Sequence, residues 1–181
     1  MKKNWRYWWT LLYFVVYLVC FFFIEHFMPV TQYHMISTPI DHMIPFNEWF
    51  VFLYISWFGY IFFSFWYFFF KDKKEYLQMI TFLFTGMTLF VVVSVIYPNS
   101  LDIRPKQLDH SNIALILVDL LYKIDTPTNV FPSIHVYNSL AVHIALHRSE
   151  WFQKHKAFDI ASLILCVSIC MSTVLLKQHS I

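Results

Sequence analysis

The chain has 181 residues, of which 59% are hydrophobic and only 13% are charged, and its formal net charge is +2. Soluble domains are charged at about a quarter of their residues, so this composition excludes an ordinary soluble globule. The apolar content also excludes a disordered chain, and the small net charge excludes the basic surface that a nucleic-acid partner needs. The length predicts one domain over residues 1–181.

Five apolar segments follow in chain order, each near the roughly 20 residues that a helix needs to cross a bilayer. They are residues 8–27, 49–70, 77–97, 130–146 and 157–176. The fourth is the most polar, but at helical spacing several of its polar side chains share one face: His135, Asn138, Ser139 and His143. Such a face usually points into a bundle or a wet cavity. We therefore predict an all-α, polytopic transmembrane helix bundle with about five spans.

The arrangement of Lys and Arg predicts how these spans are oriented, because cytoplasmic loops are enriched in both residues. If the spans alternate, one side receives Lys2, Lys3, Arg6, Lys71, Lys73, Lys74, Arg148, Lys154 and Lys156. The other side receives only Arg104, Lys106, Lys123 and Lys177. We therefore expect a multi-pass protein of the cell membrane with a cytoplasmic N-terminus. The first segment is too long for a signal peptide and lacks a small-residue cleavage site, which predicts an uncleaved anchor.

Two long loops are extracytoplasmic in this topology, residues 28–47 and 98–129. Residues 39–46 of the first loop are expected to form a short interfacial helix. In the second loop, residues 111–123 carry apolar side chains at helical spacing, at Ile113, Ile116, Leu117, Leu120 and Leu121. This pattern predicts an amphipathic helix that lies on the membrane surface or over a site.

Three polar clusters interrupt the apolar sequence, and all lie at the extracytoplasmic ends of predicted helices. They are Arg104-Pro105, Phe131-Pro132-Ser133-Ile134-His135 and Lys177-Gln178-His179. An arginine and two histidines at one membrane face suit phosphoryl transfer, because arginine binds phosphoryl oxygens in a fork. One histidine can act as the nucleophile and the other as an acid. Ser133, placed to cap a helix, adds free backbone N–H groups that bind anions.

These clusters belong to three motifs, and the first and third extend to Tyr97 and Ser172. In order and spacing they resemble the motifs of the type 2 phosphatidic acid phosphatases, which read Lys-x6-Arg-Pro, Pro-Ser-Gly-His and Ser-Arg-x5-His-x3-Asp. The chain departs from this pattern by having Tyr97, Ile134 and Thr173 in place of Lys, Gly and Arg. The departures at Ile134 and Thr173 are similar to the branch related to inositol-phosphorylceramide and sphingomyelin synthases.

The resemblance implies a six-span bundle that works without a metal or other cofactor. It implies that His179 is the nucleophile, that His135 is the general acid and that Arg104 binds the phosphate. The third motif also requires an Asp at position 183, so the chain is expected to be an incomplete or inactivated version of a longer enzyme. Three other carboxylates stay open as partners that could orient His179, namely Asp102, Asp109 and Asp125.

The predicted function is hydrolysis of a phosphate ester or pyrophosphate on a lipid at the extracytoplasmic face, through a phospho-histidine intermediate. A lipid is expected because helix ends at the interface receive headgroups laterally. Two alternatives stay open, namely transfer of a phospho-headgroup to another lipid and a catalytically inactive protein that binds lipid or partners. Separately, His143 and His147 have the i, i+4 spacing of a metal-binding pair, but no third ligand is evident in the sequence.

Overall fold

The computed structural model describes residues 7–28, 30 and 32–181, except for the side chains of Trp8 and His26. The described residues form eight α-helices: α1 (Trp8–Phe27), α2 (Pro39–Met43), α3 (Val51–Lys71), α4 (Lys73–Ile96), α5 (Ile113–Ile124), α6 (Ile134–Arg148), α7 (Glu150–Lys154) and α8 (Lys156–Leu175). A 3-10 turn at Glu48–Phe50 leads into α3. Two short strands, β1 (His34–Met35) and β2 (Asn99–Ser100), pair in parallel. The predicted all-α bundle is therefore confirmed.

Three of the described helices are long and apolar enough to cross a membrane: Glu48–Lys71, Lys73–Ile96 and Lys156–Leu175. They correspond to the segments predicted at 49–70, 77–97 and 157–176. The apolar part of α1, Trp9–Glu25, is shorter. Helix α6 has 15 residues, or about 22 Å at 1.5 Å per residue, against about 30 Å of hydrocarbon. The first and fourth spans therefore stay predictions.

Helix α6 lies at the centre of the bundle, where it packs against α3, α4 and α8. Its polar face points inward as the spacing predicted, since His135, Asn138 and Ser139 are all buried. Between the helices lies a core that includes Phe68, Tyr76, Met79, Ile80, Leu146 and Ile169. Lipid tails are as apolar as these side chains, so close packing rather than transfer from water holds membrane helices together.

The two ends of the bundle carry different loops. At one end α3 turns into α4 at Asp72, whose carboxylate accepts hydrogen bonds from the backbone of Lys74 and Glu75 at 2.7 and 2.8 Å. Lys71 there donates to the Ser149 hydroxyl at 2.6 Å, which joins this turn to the end of α6. The opposite end holds α2, the β1–β2 pair, α5 and the chain after α8. Lys2, Lys3 and Arg6, which entered the orientation argument, lie outside the described residues.

Gly86 lets α4 approach α6, and its replacement by alanine should loosen the bundle. A Cβ at Gly86 would overlap the Tyr137 ring, which is held by a hydrogen bond from its hydroxyl to the Phe82 carbonyl at 3.1 Å. Overpacking of this kind costs about 1–3 kcal/mol, which outweighs the gain of about 1 kcal/mol in helix propensity. We expect Gly86→Ala to lower the thermal unfolding midpoint in detergent.

Gly59→Ala is the matched control, because a Cβ at Gly59 meets nothing within 4 Å. It should leave the unfolding midpoint unchanged or raise it, through the propensity gain alone. The close approach of α4 and α6 at Gly86 would be contradicted if the two variants unfolded at the same temperature.

Candidate active site

The three polar clusters meet at the end of the bundle that holds α2 and α5. Helix α8 ends at Leu175, after which the N–H groups of Gln178 and His179 both donate to the Thr173 carbonyl, at 2.9 and 3.1 Å. Lys177 takes a left-handed backbone conformation, with φ 54°. This turn brings His179 back over the first turn of α6, where its ring centroid lies 5.7 Å from that of His135.

The hydrogen bond made by His179 selects its tautomer. Its Nδ1 lies 2.6 Å from the Val130 carbonyl oxygen, which only accepts, so Nδ1 carries the proton. The other ring nitrogen, Nε2, is buried and has no hydrogen-bond partner among the described residues. His179 therefore presents an unprotonated nitrogen to its surroundings, as a nucleophile requires.

None of the three carboxylates considered for orienting His179 makes this contact. Asp102 accepts from Ser37 at 2.8 Å, and Asp109 accepts from Ser111. Asp125 instead accepts from the hydroxyl of Tyr54 at 2.9 Å. The Val130 carbonyl orients the His179 ring instead. A carbonyl carries no full negative charge, so it balances a positive charge on the ring less well than a carboxylate would.

His179 is expected to stay neutral well below neutral pH. Burial disfavours the charged ring and is the main reason that its pKa falls from 6.5 to about 4. The hydrogen bond to Val130 raises the pKa, and the Arg104 cation lowers it further. Because the unfolded chain binds more protons between these two values, the stability associated with His179 is complete above about pH 6.5 and is lost as the pH falls towards about 4.

Nitrogen NMR can test this pKa directly. In protein labelled with ¹⁵N-histidine, the resonances of His179 should keep the signature of the neutral Nδ1–H tautomer at pH 6, where an ordinary histidine is mostly protonated. His179→Asn identifies the signal by removing it. A titration midpoint near 6.5 would show that the ring is exposed to water and would contradict this geometry.

His135 is held between two aromatic side chains of α3. Its ring centroid lies 4.3 Å from that of Tyr54 and 4.4 Å from that of Trp57. Its Nδ1 is 3.4 Å from the Tyr54 hydroxyl, whose own proton is donated to Asp125. The hydroxyl oxygen is therefore free to accept from the Nδ1–H of His135, which forms a chain from Asp125 through Tyr54 to His135.

Tyr54, Trp57 and Asp125 are site residues that the sequence analysis missed or left undecided. Tyr54 and Trp57 share a helical face because they are three residues apart. Pairs of aromatic residues at this spacing are common in the segment 49–70, so the spacing of Tyr54 and Trp57 did not distinguish them as site residues. The link from Asp125 to Tyr54 joins residues that are 71 positions apart, and no sequence pattern indicated it.

Arg104 ties the loop before α6 to the turn after α8. Its Nη1 donates to the Asp125 carbonyl at 2.8 Å and its Nη2 to the Thr126 carbonyl at 3.1 Å. Its Nη2 also contacts the side-chain oxygen of Gln178, and the guanidinium lies over the Tyr122 ring, 4.5 Å from the centroid. Burial raises the pKa of the Asp125 carboxyl, while the Tyr54 hydrogen bond and the Arg104 cation oppose that rise.

Several polar atoms in this region are buried and have no partner among the described residues. Three are N–H donors, on Arg104 Nε, Gln178 Nε2 and Trp57 Nε1, and the fourth is His179 Nε2. A buried unpaired donor costs about 1–3 kcal/mol, so a cluster of them needs an explanation. N–H donors of this kind are the groups with which proteins bind acceptor-rich anions such as phosphate.

The other predicted and suspected residues have structural partners. Ser133 caps α6, and its hydroxyl accepts from the Val136 N–H at 3.4 Å, which places His135 in the first helical turn. Thr173, where the resemblance has Arg, donates to the Cys170 carbonyl at 2.8 Å. Lys177 does not replace that Arg, because its ammonium donates to the carbonyls of Asp41 and Ile44 beside α2, at 2.6 and 2.5 Å.

Comparison with protein families, with characterised proteins and with solved structures finds no match to this chain. The likeness to type 2 phosphatidic acid phosphatases therefore rests on the motif residues themselves. The conclusion supported by the structure is that the buried His135, Gln178 and His179 and the half-buried Arg104 lie together at one end of a helical bundle with three candidate membrane spans.

Proposed function

We propose that this chain is a lipid phosphate or pyrophosphate phosphatase, a phosphoric ester hydrolase that acts through a phospho-histidine intermediate. One observation carries the proposal: His179 Nε2, which the hydrogen bond from Nδ1–H to Val130 leaves unprotonated, is buried near His135 and has no partner among the residues that the structure describes. A histidine that serves only a structural role normally uses both ring nitrogens when it is buried. The resemblance of the three motifs points to the same reaction.

In the first step, the lone pair of His179 Nε2 forms a bond to phosphorus while the bond from phosphorus to the leaving oxygen breaks. The protonated form of His135 gives its Nε2 proton to that oxygen and keeps its Nδ1–H, so the alcohol or phosphate does not leave as the bare anion. Arg104 stabilises the charge on the phosphoryl oxygens. The Val130 carbonyl accepts from Nδ1–H and supports the positive charge that the phosphorylated ring develops.

In the second step, water attacks phosphorus and the P–N bond breaks, which returns the electron pair to His179. His135, now neutral, takes the proton from water and so recovers its first protonation state. The chain from Asp125 through Tyr54 holds the His135 ring by its Nδ1–H, which leaves Nε2 as the nitrogen that exchanges the proton. Free phosphate is the second product.

The position of the cluster supports a lipid as the substrate. It is at the ends of α6 and α8, and α8 is long and apolar enough to cross a membrane. Nearby, α5 buries one face against α3 and leaves a second apolar face exposed at Ile113, Ile116, Leu120 and Ile124. An amphipathic helix of this kind lies in the membrane interface, at the depth of lipid headgroups.

The proposed site faces the extracytoplasmic side of the cell membrane. Its support is the excess of basic residues at the opposite end of the bundle, including Lys71, Lys73 and Lys74. In a variant without native cysteines, an impermeant maleimide should label Lys106→Cys in intact cells and spare Lys73→Cys. Both are exposed, so both should react after permeabilisation. The opposite pattern in intact cells would contradict the orientation.

A single assay tests the activity. Purified protein in detergent is given phosphatidic acid, a lipid pyrophosphate and a soluble phosphate ester, each with and without an acceptor lipid. Release of free phosphate from the lipids without an acceptor is the expected result. A phospholipid product that forms only with an acceptor would instead show headgroup transfer.

One observation favours a second candidate, a lipid-binding protein without catalysis. Three of the five N–H groups of Arg104 already donate to protein oxygens, so only two, the Nε–H and one on Nη1, are available to a phosphate. Saturable binding of phosphatidic acid with no turnover in the same assay would support this second function. If the chain neither hydrolyses nor binds phosphatidic acid, both candidate functions are contradicted.

A further inference from the structure

A second cluster of histidines lies away from the proposed active site. His143 and His147 are on consecutive turns of α6, eight and twelve residues after His135, so they lie about 12 and 18 Å along the helix. Asp159, in the first turn of α8, faces them. One ligand atom from each of these three residues lies within 4.8 Å of the other two. The structure thus identifies Asp159 as a third candidate ligand, which the sequence did not make evident.

The contacts of His143 match those of a metal-binding histidine. Its Nδ1 is 3.1 Å from the Ser162 hydroxyl oxygen, which in turn is 2.6 Å from the Tyr60 hydroxyl. Metal-binding histidines typically donate one ring N–H to such a partner, which fixes the ring and leaves the other nitrogen for the metal. In the tautomer in which Nδ1–H donates to Ser162, Nε2 is the nitrogen available to a cation.

His147 and Asp159 already form a polar pair on the more exposed side of this cluster. His147 Nδ1 lies 3.0 Å from each carboxylate oxygen of Asp159. The Asp159 side chain is 12% exposed, whereas that of His147 is 55% exposed. A cation can therefore enter from the His147 side and replace the proton that the pair shares.

We propose that His143, His147 and Asp159 bind a divalent transition-metal ion, with Zn²⁺ as the preferred occupant. Two imidazoles and one carboxylate are a borderline donor set that suits Zn²⁺, whereas Mg²⁺ and Ca²⁺ prefer oxygen ligands alone. Bond lengths of about 2.0–2.2 Å place neighbouring ligand atoms of a tetrahedral site about 3.4 Å apart. Side-chain rotation closes the remaining gap, and a water completes the shell.

The ion would join α6 to α8. These helices also position the proposed active site, since α6 carries His135 and α8 leads into the turn that holds His179. The site does not depend on the proposed phosphatase activity, because none of its three ligands contacts that cluster in the described structure. Its expected effect is to stabilise the α6–α8 pair at the end opposite to His179.

Metal binding is tested on the full chain in detergent, without a polyhistidine tag, after chelation and dialysis against Zn²⁺. We expect about one Zn²⁺ per chain by elemental analysis and a higher unfolding midpoint with Zn²⁺ than without, because a ligand of the folded state stabilises it. Asp159→Asn and His147→Asn should both lose the bound Zn²⁺ and the shift. Ser162→Ala should weaken binding by about tenfold.

Two histidine variants serve as controls. His155→Asn removes an exposed histidine that stacks on Trp151, and His179→Asn removes a histidine of the other cluster, so both should bind Zn²⁺ like the parent chain. His147 is exposed, so its variant should keep the helical content of the parent even if Asp159→Asn does not fold. The proposal is overturned if the parent chain takes up no stoichiometric Zn²⁺, if His147→Asn binds as the parent does, or if His179→Asn abolishes binding.

Discussion

Replacing His179 with asparagine should lower lipid phosphate hydrolysis by about 10⁴-fold or more, the scale seen when a covalent nucleophile is removed. Asparagine can keep the contact to the Val130 carbonyl through its amide N–H, but it has no nitrogen lone pair to attack phosphorus. The variant should therefore fold and bind substrate without turning it over. Initial rates of phosphate release measure the loss.

A trapping experiment separates loss of the nucleophile from general damage. Acid-sensitive, base-stable radioactivity should remain on the parent chain after brief reaction with ³²P-labelled lipid phosphate, and it should be absent from His179→Asn. The control is His110→Asn, since His110 is an exposed residue that pairs with Asp119 at 3.1 Å and should leave the rate unchanged. A rate for His179→Asn within tenfold of the control would place the nucleophile elsewhere.

Replacing Arg104 with alanine should lower kcat/KM for a lipid phosphate by about 10²–10³-fold, the usual cost of one donor to a developing anion. The same change also leaves the carbonyls of Asp125 and Thr126 without their donor, so the unfolding midpoint should fall as well. Arg104→Lys keeps the charge but not the planar fork. We expect it to restore little of the activity, because one ammonium cannot replace contacts to three oxygens.

Lys106→Ala is the matched control for Arg104, since it removes an exposed positive charge two residues away. It should leave both kcat/KM and the unfolding midpoint near those of the parent chain. Equal kcat/KM for Arg104→Ala and Lys106→Ala would show that the Arg104 guanidinium serves the fold alone, and the proposed role at the phosphate would then be wrong.

The long helices were predictable because their signals are local. Segment 8–27 matches α1 (Trp8–Phe27) at both ends, and the predicted amphipathic helix at 111–123 matches α5 (Ile113–Ile124) within two residues. The boundary between α3 and α4 was predicted less well, because one capping residue, Asp72, lets α4 begin four residues before its apolar run. Helix α7 and the β1–β2 pair were not predicted, since elements of two to five residues carry no periodic signal.

Candidate site residues stood out for a different reason. Ionisable side chains are costly in an apolar chain and so are rare there, which drew attention to Arg104, His135 and His179. Tyr54 and Trp57 did not stand out, because aromatic side chains surround them in the sequence. Asp159 went unnoticed as a partner of His147 because it lies on another helix, and only the packing of α6 against α8 brings the two together.

The sequence by itself determined that the chain is helical, that five apolar segments approach the length of a membrane span, and which polar residues are candidates for chemistry; three of those five segments are helices long and apolar enough to cross a membrane. These properties depend on composition and on spacing within one helix, where neighbours are three or four residues apart. Only the tertiary structure decided that His179 is oriented by the Val130 carbonyl, that Arg104 is held by Gln178 and two loop carbonyls, and that Asp159 completes a second cluster. Those contacts join residues on different helices and loops, and their geometry arises from packing between elements, which no local pattern encodes.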